Sequence, residues 1–326
     1  MRAIIPVAGI GTRLRPHTHT IPKALVQVAG KPILGHIVDQ LLPLGITDIV
    51  LVTGYMGDRV KEYMAQAYPD LAACYVHQEE RKGLGHAIFL TRECVDDSPS
   101  LIILGDTIVT ADFPGLVGRG STTIGVKAVE DPRKFGVVEI EGGVVKSLVE
   151  KPDVPPSNLA IVGLYLIQNT GLLMDSLAEI VDRDIRTKGE YQLTDALTIM
   201  LERGERMEPF EVEGWHDCGH PATLLETNRF LLERSGNGVP EFPGTVVIPP
   251  VSIDPSAAIE SSIVGPYVSI AAGSSVRNSI VRDSIVNTSA HVETSLLSGS
   301  LIGEGAVVRG HYQKLNVGDS SEIDIG

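Results

Sequence analysis

"AIIPVAGIGTRLRPHTHTIPK", residues 3 to 23, joins a short apolar run to a loop carrying two glycines, Arg13, Arg15 and Lys23. The run is short and β-branched, as a buried strand is. A glycine turn directly after such a strand puts backbone N–H groups at its carboxyl end, where open α/β sheets bind ligands. Two familiar phosphate loops do not fit. The position that should hold the third glycine of a dinucleotide fingerprint is Leu14, and no Gly-Lys-Ser/Thr follows. Gly9 and Gly11 alone describe a structural turn equally well. The cations separate the two readings. Three positive charges in one loop repel one another unless an anion neutralises them, and Pro16 and Pro22 stiffen the loop that carries them. The stretch reads as a cradle for a triphosphate.

The rest of the chain makes such a local cluster stand out. The 326 residues carry a net charge of −14 with no other Lys/Arg cluster, which argues against a nucleic-acid or anionic-membrane surface. An apolar fraction of 43% and a charged fraction of 21% belong to a folded globular protein. Cys74, Cys94 and Cys218 are expected to be three free thiols, because no C-x-x-C pair or even count suggests a disulfide framework. The N-terminal apolar run is too short for a signal peptide, and no segment has the ~20 apolar residues of a spanning helix. These features lead us to expect a cytoplasmic chain.

Two grammars follow one another. Up to about residue 235, short apolar runs such as "DIVLVT" and "LIILGD" alternate with helical periodicity. In "ILGHIVDQLLPLG", Ile33, Ile37, Leu41 and Leu44 recur at helical spacing until Gly45. Between them "TTIGVKAV", "FGVVEI", "VVKSLVE" and "LAIVGLYLI" follow with only turns between, suggesting an antiparallel or mixed insertion. "RSGNGVPEFPG" supplies a linker, placed at 236–244. From 245 to 312 an aliphatic recurs every five or six residues: Val247, Ile253, Ile259, Val264, Ile270, Val276, Val281, Val286, Val292, Leu297, Ile302 and Val308. With small polar residues between, this is the pattern of a parallel β-helix, each rung adding one inward aliphatic to a stack. Residues 313–326 read as a tail. The flat sides and open end of such a helix favour a homo-oligomer.

The opening loop resembles the G-x-G-T-R-[LM]-x-P…P-K signature of the sugar-1-phosphate nucleotidyltransferases, and further motifs follow in order along essentially the whole chain. "HQEERKGLGHA" (77–87) is similar to the base-recognition segment, with Gln78 and Gly83 at the base edge. "LGD" (104–106) is similar to the element whose aspartate holds Mg²⁺. "FGVVEI", "VEKP" (149–152) and "AIVGLYLI" resemble the sugar site. "GEYQLTDAL" (189–197) and "WHDCG" (215–219) follow, the latter with a second metal aspartate.

The resemblance implies a Rossmann-like, glycosyltransferase-A-type α/β domain with a mixed sheet. It also implies a C-terminal left-handed β-helix, as in the long thymidylyl branch of the family. The reaction implied joins a nucleoside triphosphate to a sugar 1-phosphate with release of pyrophosphate. On this reading Ala8, Gly9, Gly11, Thr12, Arg13, Gln78 and Gly83 bind the nucleotide. Gly136, Glu150, Lys151 and Gly163 bind the sugar phosphate, while Asp106 and Asp217 hold Mg²⁺. Arg13 attends the leaving pyrophosphate, Lys23 the α-phosphoryl group and Lys151 the incoming phosphate. dTTP with glucose 1-phosphate is the expected pair and UTP the alternative, since "GLGHA" is closer to the uridylyl branch.

Each residue also has an ordinary reading. Asp106 or Asp217 could belong to a turn. Lys151, before Pro152, is expected to be extended with a solvated side chain, and Glu150 to be its surface partner. Cys218 has no basic neighbour in sequence and reads as inert; Trp215 reads as packing. Two other functions compete. A hexapeptide acyltransferase would use His291 or His311 as base, and a non-catalytic relative would typically lose the five charged residues retained here.

Overall fold

The computed structural model describes residues 1–236 and 241–310. Part of the expected linker, the last two residues of the expected β-helix and the whole expected tail lie outside the described residues. The chain divides into two compact units, Met1–Thr227 and Asn228–Gly326.

The first unit is built from β1 (Arg2–Pro6), β2 (Gln27–Val28), β3 (Lys31–Pro32), α1 (Ile33–Leu41), β4 (Asp48–Thr53), α2 (Gly57–Ala67), β5 (Ala72–His77) and α3 (Leu84–Phe89). There follow β6 (Ser100–Ile103), β7 (Thr107–Thr110), α4 (Phe113–Val117), β8 (Thr122–Ala128), β9 (Gly136–Glu141), β10 (Val144–Glu150) and β11 (Leu159–Ile167). Then come α5 (Thr170–Asp182), α6 (Leu193–Glu202), β12 (Met207–Glu211), β13 (Gly214–Asp217) and α7 (Pro221–Arg234), which runs across the division. Nine strands form one mixed sheet ordered β10-β9-β11-β6-β1-β4-β5, with β8 pairing β11 and β12. β6, β1, β4 and β5 are parallel, and β11, β9 and β10 run antiparallel, as the uninterrupted central strands foretold. β7 and β13 form a separate two-stranded ribbon.

Burial explains the strands. Ala3, Ile4 and Ile5 of β1 are fully buried, as are Ile49, Val50, Leu51 and Val52 of β4, because helices and neighbouring strands cover both faces. Each buried isoleucine, leucine or valine among them contributes about 1.5–3 kcal/mol over leaving it in water. α1 buries Ile33, Leu34, Ile37, Val38 and Leu41, and a 3₁₀ turn then leads to Gly45 at φ 71°.

One expectation is corrected here. Cys74 on β5 and Cys94 are joined as a disulfide, their Cα atoms 6.6 Å apart, so only Cys218 is free. The chain leaves β5, turns through α3 and returns beside it in the 3₁₀ turn Leu90–Cys94, which brings together thiols 20 residues apart. The expectation of a cytoplasmic chain loses the support it drew from three free thiols. Among the described residues no helix is long and apolar enough to cross a membrane.

The second unit is a parallel β-helix of three four-stranded sheets, the construction of the left-handed kind. The twelve recurring aliphatics form three inward columns. Val247, Val264, Val281 and Leu297 are in register on one sheet. Ile253, Ile270, Val286 and Ile302 align on the second. Ile259, Val276, Val292 and Val308 align on the third. All twelve belong to one apolar cluster. Residues 228–234 of α7 belong with this unit because they bond to it: Asn228 Oδ1 accepts from Ser269 Oγ at 2.6 Å, and Arg229 pairs with Asp283.

Candidate active site

The loops at the carboxyl ends of β1 and β6 wall a cavity of ≈ 580 Å³ lined by Gly9, Gly11, Thr12, Arg13, Lys23 and Asp106, among others. Gly11 makes the loop possible. Its φ of 68° suits glycine, and a Cβ there would sit 3.0 Å from the Lys23 Cβ. Thr18 Oγ1 donates to the Gly11 carbonyl at 2.8 Å and ties the loop back on itself. Lys23 is buried, and its ammonium donates to Asp106 Oδ2 at 2.7 Å. Arg13, on the 3₁₀ turn Thr12–Leu14, donates from Nη1 to His220 Nε2 at 3.0 Å. Ala8 is buried, with its carbonyl against Gly54.

Asp106 and Asp217, 111 residues apart in sequence, are brought together by the β7–β13 ribbon. Asp217 lies opposite Thr107, and the Cys218 N–H donates to the Asp106 carbonyl at 3.1 Å. Between Asp217 and Gly219, the Cys218 thiol is buried and pushed up to about 12 by that burial, so it stays neutral.

A second cavity of ≈ 270 Å³ shares Leu84, Leu104 and Glu190 with the first. It gathers Gly136, Glu150, Lys151 and Gly163 from β9, the end of β10 and β11. The Glu150 side chain is only 10% exposed; its Oε2 accepts from Thr194 Oγ1 at 3.1 Å and its Oε1 lies 3.4 Å from Lys151 Nζ. Glu150 is therefore not a surface residue. Lys151 also departs from expectation: its φ is 42°, in the left-handed region, although Pro152 follows. The Lys151 N–H donates to the Phe135 carbonyl at 3.0 Å, a bond that holds this unfavourable conformation at the cavity wall. Trp215 packs edge-on against Phe135 at 4.7 Å and lines the same cavity.

Gln78 lines neither of these. It belongs to a third cavity of ≈ 460 Å³ with Tyr55 and Lys61, and its Nε2 donates to the Gly83 carbonyl and to His86 Nδ1, both at 3.2 Å. Burial lowers the His86 pKa, which favours the neutral ring that this bond requires. Gly83 lines none of the three cavities. Its φ of 109° and the Tyr191 carbonyl, 2.5 Å from where a Cβ would be, make it a packing glycine.

Thr194 and His220 are the neighbours that sequence reading passed over. Thr194 lies within the quoted "GEYQLTDAL" and His220 directly after "WHDCG", yet only the fold brings His220 to Arg13 across 207 residues. In the first turn of α6, Asp195 Oδ1 accepts from Thr187 Oγ1 at 3.0 Å while Oδ2 is buried without a partner, and burial raises its pKa.

Residues 2–234 match the nucleotidyl transferase family. Over its whole length the chain is 33% identical to a low-salt glycan biosynthesis nucleotidyltransferase of Haloferax volcanii, also covered in full. It is 30% identical to a glucose-1-phosphate thymidylyltransferase of Streptomyces griseus, covering 100% of this chain and 99% of that one. A UDP-glucose pyrophosphorylase solved with UDP-glucose superposes with a TM-score of 0.61 at 26% identity, over 72% of this chain and 99% of the other.

Proposed function

The chain belongs to the nucleotidyl transferase family and is a sugar nucleotidyltransferase; from that premise we propose that it joins dTTP to glucose 1-phosphate, releasing pyrophosphate. The observation that carries this reading is the pair of cavities with a common wall. One holds Arg13, Lys23 and Asp106, the other Lys151 and Glu150, so cations stand on both sides of Leu84, Leu104 and Glu190.

The chemistry asks for such groups. A sugar phosphate oxygen is already ionised at neutral pH, the second pKa of a phosphate monoester being near ~6, so no general base is needed. The oxygen forms a bond to the α-phosphorus as the bond from that phosphorus to the β-bridging oxygen breaks. The difficulty is to bring two polyanions together and to stabilise the charge that gathers on the transferring and leaving oxygens. Lys151 holds the incoming phosphate, Lys23 faces the α-phosphoryl group and Arg13 grips the departing pyrophosphate. Glu150, fixed by Thr194, accepts from a sugar hydroxyl. Asp106, directly before β7, and Asp217, at the end of β13, suit Mg²⁺: the paired ribbon sets two carboxylates at one end of it. Such a donor set leaves room for the phosphate oxygens and waters that Mg²⁺ prefers. When bound, the ion neutralises phosphate charge.

UTP in place of dTTP is the second reading, favoured by His86 of "GLGHA" against Gln78. One methyl separates the two bases and is worth only ~1–3 kcal/mol. The test is pyrophosphate release from five nucleoside triphosphates, each paired with several sugar 1-phosphates. The expected result is fastest turnover of dTTP with glucose 1-phosphate, with UTP second. Preference for a purine triphosphate would overturn the assignment of the base.

The β-helix also supports assembly of like chains. Val246, Ile263, Ile280 and Leu296 are in register on the outer face of one sheet, Leu296 being 77% exposed. Such an apolar ladder is costly in water. A homo-oligomer, measured by light scattering, is the expected state.

A further inference from the structure

We propose that His220 is a positioning residue that keeps Arg13 apart from Asp217; the inference rests on the nucleotidyl transfer proposed above. Arg13 has five N–H donors and no acceptor, so in the 3.0 Å contact His220 Nε2 must accept and the ring must carry its proton on Nδ1. Among the described residues this is the hydrogen bond the structure gives the Arg13 guanidinium. A more strongly attracting partner stands close by. The point where a Gly219 Cβ would lie is 2.9 Å from Arg13 Nη2 and 2.8 and 2.9 Å from the two Asp217 oxygens. Opposite charges so placed would ordinarily close into a two-pronged arginine–carboxylate pair. Here the fork is turned to His220 instead.

The backbone of His220 is fixed where it can do this. The residue precedes Pro221, which opens α7, and its carbonyl accepts from Leu224 N at 2.9 Å and from Thr223 Oγ1 at 3.1 Å. Gly219, with no side chain, leaves the gap between guanidinium and carboxylate clear. If the pair closed, two functions would be lost together. Arg13 would be withdrawn from the pyrophosphate, and Asp217 would be partly neutralised as a ligand for Mg²⁺. His220, a neutral acceptor, holds the guanidinium without competing for its charge as a carboxylate would.

The experiment uses the full chain with His220→Ala, His220→Gln, Arg13→Ala and the double variant R13A/H220A. Forward and reverse reactions are followed, and binding of the Mg²⁺ complex of dTTP is measured by calorimetry. H220A should raise the KM for pyrophosphate in the reverse reaction, and weaken calorimetric binding, by about five- to tenfold. It should also raise the half-saturating Mg²⁺ concentration, leaving the KM for sugar 1-phosphate within about twofold. H220Q, whose amide oxygen can accept the same N–H, should recover most of the loss. In the R13A background, H220A should add nothing. Unchanged pyrophosphate KM and unchanged binding in H220A, or equal losses with and without Arg13, overturn the inference while the wild-type turnover stands. A wild-type chain that releases no pyrophosphate with any pair of substrates overturns the proposed reaction itself, and this inference with it.

Discussion

Lys23 Nζ lies 2.7 Å from Asp106 Oδ2, the lysine side chain being 7% exposed and the aspartate 43%. This contact joins the cation proposed for the α-phosphoryl group to a carboxylate proposed for Mg²⁺. A nearly buried ammonium needs a partner, and among the described residues Asp106 is the carboxylate paired with it. Binding of a metal–triphosphate complex would replace that partner with phosphate oxygens, leaving Lys23 charged and paired throughout.

Asp106→Asn is therefore expected to keep the fold and lose the reaction. The amide oxygen can still accept from Lys23, so the melting temperature should change by only a few degrees, ~1 kcal/mol of lost charge assistance. Mg²⁺-dependent pyrophosphate release should fall by about a thousandfold or more. Full activity in this variant would sink the metal assignment.

Lys151→Ala separates the two substrates. Lys151 lines the second cavity and not the first. Its loss should raise the KM for sugar 1-phosphate by about 10–100-fold and leave triphosphate binding nearly intact. Steady-state kinetics with each substrate varied in turn would show it. A rise confined to the triphosphate would place Lys151 on the wrong side of the shared wall.

Gly83→Ala tests a mechanical connection. The new Cβ would meet the Tyr191 carbonyl at 2.5 Å and the Tyr191 nitrogen at 2.9 Å, on a backbone with φ of 109°. Tyr191 precedes Gln192 and Thr194 of the second cavity, while the Gly83 carbonyl holds Gln78. The substitution should cost about 1–3 kcal/mol of stability and raise the KM of both substrates. An effect on the triphosphate alone would show that the two segments move independently.

Cys218 should be silent towards alkylating reagents. With its thiol pushed up to about 12 by burial, the group lies far above a working pH of 8 and is protonated there, its thiolate fraction about one in ten thousand. Iodoacetamide at pH 8 should label Cys218 only after unfolding, and the folded enzyme should keep its activity. Rapid labelling of the native protein, read by mass spectrometry, would contradict the burial.

What could be read in advance followed physical necessity. Each β-helix rung must turn an aliphatic inward, so Val247 through Val308 announced their columns by spacing alone. The central antiparallel strands were visible because only turns separate them. The cavity cluster of Arg13 and Lys23 was legible because cations in an acidic chain call for an anion. Other features depend on contacts no local pattern encodes. Nothing near Cys74 indicates that Cys94 returns beside β5. The left-handed backbone of Lys151 opposes the bias that Pro152 imposes, and it is held by a bond to Phe135 that only the folded sheet supplies. Gln78, expected at the base edge, lines a cavity with Tyr55 and Lys61 while its amide is turned to Gly83 and His86, a placement set by the folded turn and not by local pattern. His220 offered no signal beyond its adjacency to "WHDCG".

The ribbon of β7 and β13 has a mechanical meaning. Asp106 directly precedes one strand and Asp217 ends the other, the two cross-bonded at that end and paired to each other and not to the nine-stranded sheet. Because the same cross-strand bonds hold both backbones, the spacing of the two aspartates is set by one hydrogen-bonded ribbon and not by two independent loops.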